Sequence, residues 1–98
     1  GADSATPGKE AWLVADGALL ARFEFDDRLR EETPAVLRAL LAQGQSVAIL
    51  SGDRAPVVSA LAQACGIDEF QAGCTPDDKR ERVLRLQRAG HVVLMVGD

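Results

Sequence analysis

Apolar positions along the chain follow two alternating patterns. Val47-Ala48-Ile49-Leu50 and Val92-Val93-Leu94-Met95-Val96 are unbroken apolar runs, as expected of strands covered on both faces in a parallel sheet. Elsewhere the spacing is helical. Val36, Leu37, Leu40 and Leu41 make one stripe, with Thr33 predicted as its N-cap, Pro34 at the first helical position and Gly44 as its stop. Val57, Val58, Leu61, Ala62 and Cys65 make a second, opening at Pro56 and ending on Gly66 as a left-handed cap. A third opens at Thr75-Pro76-Asp77-Asp78, where a cap, a proline and two acidic residues suit the positive end of a helix dipole. Its inward residues are expected to be Val83, Leu84 and Leu86, with Gly90 at the end. A short strand is predicted over residues 68–72 around Phe70.

Ahead of these, Ala11-Trp12-Leu13-Val14-Ala15 and Ala18-Leu19-Leu20-Ala21-Arg22-Phe23-Glu24-Phe25 flank Asp16-Gly17, a type I′ hairpin signal. The second arm ends in alternation, Phe23 and Phe25 on one face and Arg22 and Glu24 on the other, so this part of a sheet should have one wet side. Residues 1–10 (GADSATPGKE) have linker composition and are expected to be loose. Residues 26–32 read as a charged connector. The order after residue 27 is helix, strand, helix, strand, helix, strand. That order implies right-handed crossovers and a three-layer α/β/α, Rossmann-like sandwich with a parallel central sheet.

At 98 residues the chain is one domain or part of one. Its formal net charge of −4 argues against a nucleic-acid partner. No apolar run approaches the ~20 residues of a membrane span, and no signal peptide opens the chain, so the segment is expected to be soluble, with no membrane insertion of its own. Cys65 and Cys74 lack metal-ligand spacing and are read as reduced, structural thiols.

Candidate chemistry gathers where the apolar runs end. Ser51 offers a hydroxyl, Gly52 allows close backbone approach to an anion, and Asp53 could hold a cation or cap the next helix; an ordinary strand-to-turn junction is the other reading. Gly97-Asp98 repeats the pattern, so Asp98 is either a Mg²⁺ ligand or a solvated residue. Lys79 precedes Val83 by four and Leu86 by seven, which puts it on their face, yet in the first turn of the helix. A cation there opposes the dipole and asks for a compensating anion. Arg80, Arg82, Arg85 and Arg88 carry no such constraint and are read as a solvated face. His91 is expected at a strand start far from that edge, so no nucleophile–base pair forms with Ser51.

Taken together, Asp27-Arg28-Leu29-Arg30, Leu50-Ser51-Gly52-Asp53, Thr75-Pro76-Asp77-Asp78-Lys79 and Met95-Val96-Gly97-Asp98 resemble successive motifs of P-type ATPases. Leu86-Gln87-Arg88-Ala89-Gly90 is similar to the heavy-metal subgroup, especially its copper exporters tied to cytochrome oxidase assembly. The resemblance covers the chain from Trp12 onward and implies a haloacid dehalogenase-like phosphorylation domain, in which an aspartate takes the γ-phosphoryl group of ATP with Mg²⁺. It implies that Ser51 hydrogen-bonds the phosphoryl group, Lys79 neutralises its charge and Asp98 holds Mg²⁺. Gly52 and Asp53, with Asp27 and Arg30, match loop and hinge positions beside the nucleotide domain.

The departures define what is missing. The only Asp-Lys, Asp78-Lys79, continues with Arg80 rather than Thr-Gly, so the nucleophilic aspartate is absent and the chain alone is expected to be inactive. The sequence looks like an excised piece of a transporter: residues 1–10 a linker, 11–25 a hairpin at the nucleotide-domain junction, and 26–98 the C-terminal part of an incomplete phosphorylation domain. Its implied partners are the remaining phosphorylation, nucleotide-binding and transmembrane domains, on the cytosolic side of an inner or plasma membrane protein. Two alternatives stand beside this: a small phosphatase of the same superfamily using Leu13-Val14-Ala15-Asp16-Gly17 as a degenerate first motif, and a non-catalytic α/β binding module. In the family the nucleophile's strand lies between the two apolar runs. Its slot should therefore be filled by a hairpin strand or by self-association with a neighbouring molecule, or be closed by direct pairing of the runs. Filling is the expectation for an isolated piece.

Overall fold

The computed structural model describes residues 9–25 and 33–97. Strands β1 (Lys9–Ala15) and β2 (Ala18–Phe25) precede α1 (Ala35–Ala42), β3 (Val47–Ser51), α2 (Ala55–Cys65), β4 (Glu69–Gln71), α3 (Pro76–Arg88) and β5 (Val92–Gly97). The strands form one sheet in the order β2-β1-β5-β3-β4. Helical crossovers make β3 parallel to both β4 and β5, while the tight turn makes β1 antiparallel to β2. The turn has both central residues at positive φ, Asp16 at 52° and Gly17 at 77°, as a type I′ turn requires. The expected loose tail at residues 1–8, the connector at 26–32 and the side chains of Phe23 and Phe25 lie outside the described residues. Arg22 and Glu24 are exposed as expected. β1 starts at Lys9, ahead of the apolar run, because its backbone pairs on both sides: Glu10 stands opposite Glu24 and Gly97.

Of the two expected outcomes the less favoured one is observed: the slot is closed rather than filled. β3 and β5 pair directly, with Val47 opposite Val92 and Ser51 opposite Val96. The hairpin does not enter between them; β1 lies against the other side of β5, Glu10 opposite Gly97 and Val14 opposite Val93. The physical reason is that both strands are apolar and parallel, so direct pairing satisfies their facing backbone groups and leaves β1 to cover the edge that remains.

Two cores result from the alternation of β3 and β5. Val47 and Ile49 with Val92, Leu94 and Val96 pack with Ala11, Leu13, Leu37, Val58, Ala62, Cys65 and Ile67 on the face of α1 and α2. Ala48, Leu50 and Val93 pack with Cys74 and Leu86 on the face of α3. The sheet therefore has helices on both sides, the predicted three layers.

Three local expectations change. Pro34 has an extended ψ of 143°, so α1 begins at Ala35 and Thr33 lies one residue too far back to cap it through its side chain. The Arg38 guanidinium instead donates to the Thr33 carbonyl. Leu84 is 53 % exposed rather than inward. It lies three before Gln87, on the side of α3 that reaches the hairpin turn, where Gln87 Oε1 accepts the Gly17 N–H at 3.1 Å. The short strand covers only Glu69–Gln71. By contrast the Thr75 cap forms as predicted: the Asp78 N–H donates to Thr75 Oγ1 at 3.0 Å, and the Thr75 N–H donates to Asp78 Oδ2 at 3.1 Å. Gly66, at φ 73°, closes α2, with the Ile67 N–H returning to the Ala62 carbonyl at 2.8 Å.

Candidate functional site at the carboxyl edge of the sheet

β3 delivers Ser51 to its carboxyl end almost fully enclosed, 1 % exposed. The Asp53 N–H donates to Ser51 Oγ at 3.1 Å, which occupies a lone pair and leaves the hydroxyl proton available to donate. Gly52 is pressed by the chain that follows β4: a Cβ placed there would come within 3.0 Å of the Cys74 carbonyl oxygen. The same two segments are laced by the Cys74 N–H to the Ser51 carbonyl at 3.0 Å and the Gly73 N–H to the Asp53 carbonyl at 2.8 Å. Ser51, Gly52 and Asp53 are therefore held as a unit against residues 72–75.

Those residues run straight into α3 through its Thr75 cap. One turn on, Lys79 is half-buried and its Nζ donates to the Val96 carbonyl at 3.4 Å. Nζ would also sit 3.4 Å from a Cβ on Gly97. Because Val96 stands opposite Ser51 in the β3–β5 ladder, the hydroxyl and the ammonium come to neighbouring strand ends. A neutral donor and a cation on one edge suit a tetrahedral anion such as a phosphoryl group.

Of the other candidates, Asp27, Arg30 and Asp98 lie outside the described residues. Among the described residues no group of three His, Cys, Asp or Glu side chains could hold a metal ion. A hydroxyl and an ammonium are not the oxygen-rich set that Mg²⁺ demands, so this edge by itself does not fit the ion. Asp16 lies in the hairpin turn just past the end of β1, two residues after Val14, which pairs near the start of β5. That is the opposite edge from Ser51 and Lys79, and it removes the arrangement a phosphatase first motif at Leu13-Val14-Ala15-Asp16-Gly17 would need. His91 likewise precedes β5 at that far edge, its Nδ1 buried without a partner among the described residues.

One contact was not legible in the sequence. Arg82, read as part of a solvated face, is half-buried and its guanidinium donates to Cys74 Sγ at 3.2 Å. Only the spacing of seven from Thr75 hinted that it shares a side of α3 with the loop. The Asp78 carboxyl is held below its usual range, first by the Thr75 backbone N–H, then by the Thr75 hydroxyl, with the Arg82 charge adding to both. On the opposite face, burial pushes the Cys65 thiol up to about 11.

A model of the family described as haloacid dehalogenase-like hydrolase matches residues 2–98. The chain is 38 % identical over 87 residues to the silver exporting P-type ATPase of Salmonella typhimurium, covering 89 % of this chain and 11 % of that protein. It is 51 % identical over 70 residues to the nitrogen fixation protein FixI of Bradyrhizobium diazoefficiens, covering 71 % and 10 %. With the probable copper-transporting ATPase PacS of Synechococcus elongatus it shares 42 % identity over 86 residues, covering 88 % and 12 %. The chain thus spans roughly a tenth of the length of these curated relatives. No solved structure matches it.

Proposed function

Because this chain belongs to the haloacid dehalogenase-like hydrolase family, we propose that it is the C-terminal part of the phosphorylation domain of a heavy-metal P-type ATPase, with copper as the transported metal. The convergence of Ser51 and Lys79 beside Val96 carries this reading. Phosphoryl transfer asks a protein for positioning and charge neutralisation more than for covalent chemistry. Lys79 neutralises charge that develops on the transferred phosphoryl group, and Ser51 donates its hydroxyl proton to a phosphoryl oxygen. Gly52 lets backbone approach the group. In this reading Asp53, Asp27 and Arg30 take the loop and hinge positions next to the nucleotide domain, and the hairpin of residues 11–25 belongs to that junction.

ATP is the phosphoryl donor of the whole protein, and Mg²⁺ supplies charge neutralisation there when bound. In this reading Asp98 is its ligand, together with oxygens from outside the chain. In this reading the nucleophilic aspartate, the nucleotide-binding domain and the transmembrane helices come from the remainder of the transporter, and the segment lies on the cytosolic side of the membrane. No helix among the described residues is long and apolar enough to cross a membrane.

The test is phosphoenzyme formation from labelled ATP in the full-length protein. Lys79→Ala should slow it by about two orders of magnitude, the scale of losing one charge-stabilising group. The isolated chain should form no acid-stable phosphoenzyme with labelled ATP or acetyl phosphate. An unaffected Lys79→Ala transporter, or Mg²⁺-dependent turnover by the chain alone, would overturn the assignment.

A further inference from the structure

Ser51 and Lys79 sit on different elements, so a grip on one phosphoryl group depends on what fixes β3 relative to α3. Residues 72–75 do this. On one side their backbone is tied to the Ser51 loop: the Cys74 N–H to the Ser51 carbonyl, the Gly73 N–H to the Asp53 carbonyl, and the Cys74 carbonyl seated where Gly52 has no side chain. On the other side Thr75 caps α3, and its carbonyl accepts the Lys79 N–H at 2.9 Å.

The side chain at the centre of this junction is Cys74. It is 6 % exposed, and its Sγ lies against the Gln71 and Ala72 carbonyls at 3.7 and 4.0 Å. Arg82 reaches it from two turns along α3. A guanidinium over a buried sulfur ties the loop to the body of the helix rather than to its first turn alone.

We propose that Arg82 and Cys74 are positioning residues, a brace that seats residues 72–75 on Gly52 and so fixes the Ser51 hydroxyl relative to the Lys79 ammonium. This rests on the proposed phosphoryl-transfer role of that edge. Displacing one donor by a fraction of an ångström weakens a two-point grip on a tetrahedral anion without touching nucleotide binding, which belongs elsewhere.

The experiment uses the full-length transporter with orthovanadate as the phosphate-like probe, alongside the rate of phosphoenzyme formation and the KM for ATP. Arg82→Met, which keeps the stem and removes the donor, should weaken vanadate inhibition and slow phosphorylation, each by about tenfold, with the KM for ATP unchanged. Arg82→Lys should restore most of both. Cys74→Val, which stays apolar and removes the acceptor, should reproduce Arg82→Met, and the double variant should lose no more than either single one. Cys74→Val also serves as the probe if Arg82→Met fails to fold. Lys79→Ala is run in parallel. If Lys79→Ala is impaired while Arg82→Met and Cys74→Val match the wild type, the brace is wrong and the function stands. If the two variants are impaired additively, or with a matching rise in KM, they act separately or on the fold at large, and the brace is likewise wrong. If Lys79→Ala matches the wild type, the assignment of the edge fails and the brace falls with it.

Discussion

β5 has a different kind of neighbour on each side. β3, parallel to it, is buried at every residue from Val47 to Ser51. β1, antiparallel to it, buries Ala11 and Leu13 on the α1 and α2 face but leaves Trp12 and Val14 half-buried on the other. Beyond β1, the strand β2 exposes Leu19 by 59 % and Leu20 by 47 %. The crossover that makes β3 parallel also brings a helix over each of its faces, whereas a hairpin arrives without helices of its own. The proposed chemistry sits on the fully covered side, where a strand gripped on both faces holds its terminal residue in one place. Ser51 benefits from that; Asp16, at a turn of two positive-φ residues, does not.

The largest test of this contrast is truncation in each region. Ile49→Ala, in the strand covered on both faces, should cost about 2–5 kcal/mol of unfolding free energy, from lost transfer energy and the cavity left behind. Leu19→Ala on the outer hairpin strand should stay within about 0.5 kcal/mol. Urea titrations of the two variants decide it. Equal losses would mean that the hairpin is packed as tightly as the parallel half.

The parallel half was also the more legible one. Unbroken apolar runs at Val47-Ala48-Ile49-Leu50 and Val92-Val93-Leu94-Met95-Val96 state burial on both faces directly, and the Thr75 capping box is a local signal that the structure reproduces atom for atom. Helical spacing alone placed Lys79 inward and near the carboxyl edge. What could not be read depends on neighbours distant in sequence. The direct β3–β5 pairing is a choice between partners, and a family template that reserves a slot between them points the wrong way. Leu84 and Arg82 looked like core and surface by residue type. Arg82 owes its place to the Cys74 loop beside α3, while Leu84 stays exposed three residues before Gln87, whose side chain reaches the hairpin turn. Thr33 failed as a cap because Pro34 is extended, with ψ 143°, and itself takes the capping position, a choice that residue identity leaves open.

A second test sharpens the contrast through pH. Cys65, the last residue of α2, packs into the core of the covered half, and burial raises its thiol from an ordinary value of 9.0 to about 11. A raised folded-state value means that the folded chain keeps a proton the unfolded chain loses. The contribution is complete below pH about 9 and disappears as pH rises through about 11. The urea midpoint should therefore fall over that window in the wild type. In Cys65→Val the slope should be reduced, and an unchanged slope would show that Cys65 is not its source.

At the loop before α3, Thr75→Ala should cost about 1 kcal/mol through loss of the cap. It also removes a partner that holds the Asp78 carboxyl down. A lowered folded-state value contributes stability above the ordinary carboxylate range and loses it as pH falls through the folded value. The acid limb of the wild-type stability curve should accordingly be steeper than that of Thr75→Ala. Parallel acid limbs would mean that the hydroxyl does not act on Asp78.

The smallest effect belongs to a charge pair of the hairpin, Arg22 with Glu10 Oε1 at 2.8 Å. Geometry favours it, since the two residues lie diagonally across β1 and β2 on one face, and the Glu10 hydrogen bond and charge raise the already high value of Arg22. Solvent works against it: the side chains are 55 % and 33 % exposed, and water and salt screen a pair so placed while two long side chains lose rotamer freedom to hold it. Glu10→Gln keeps an acceptor and removes the charge. It should lower stability slightly at low ionic strength and by nothing measurable at 1 M salt, where the screening length is about 3 Å. A loss that persists at 1 M salt would place this pair in a drier setting than the open face of the hairpin provides, and the distinction between β5's two neighbours would narrow accordingly.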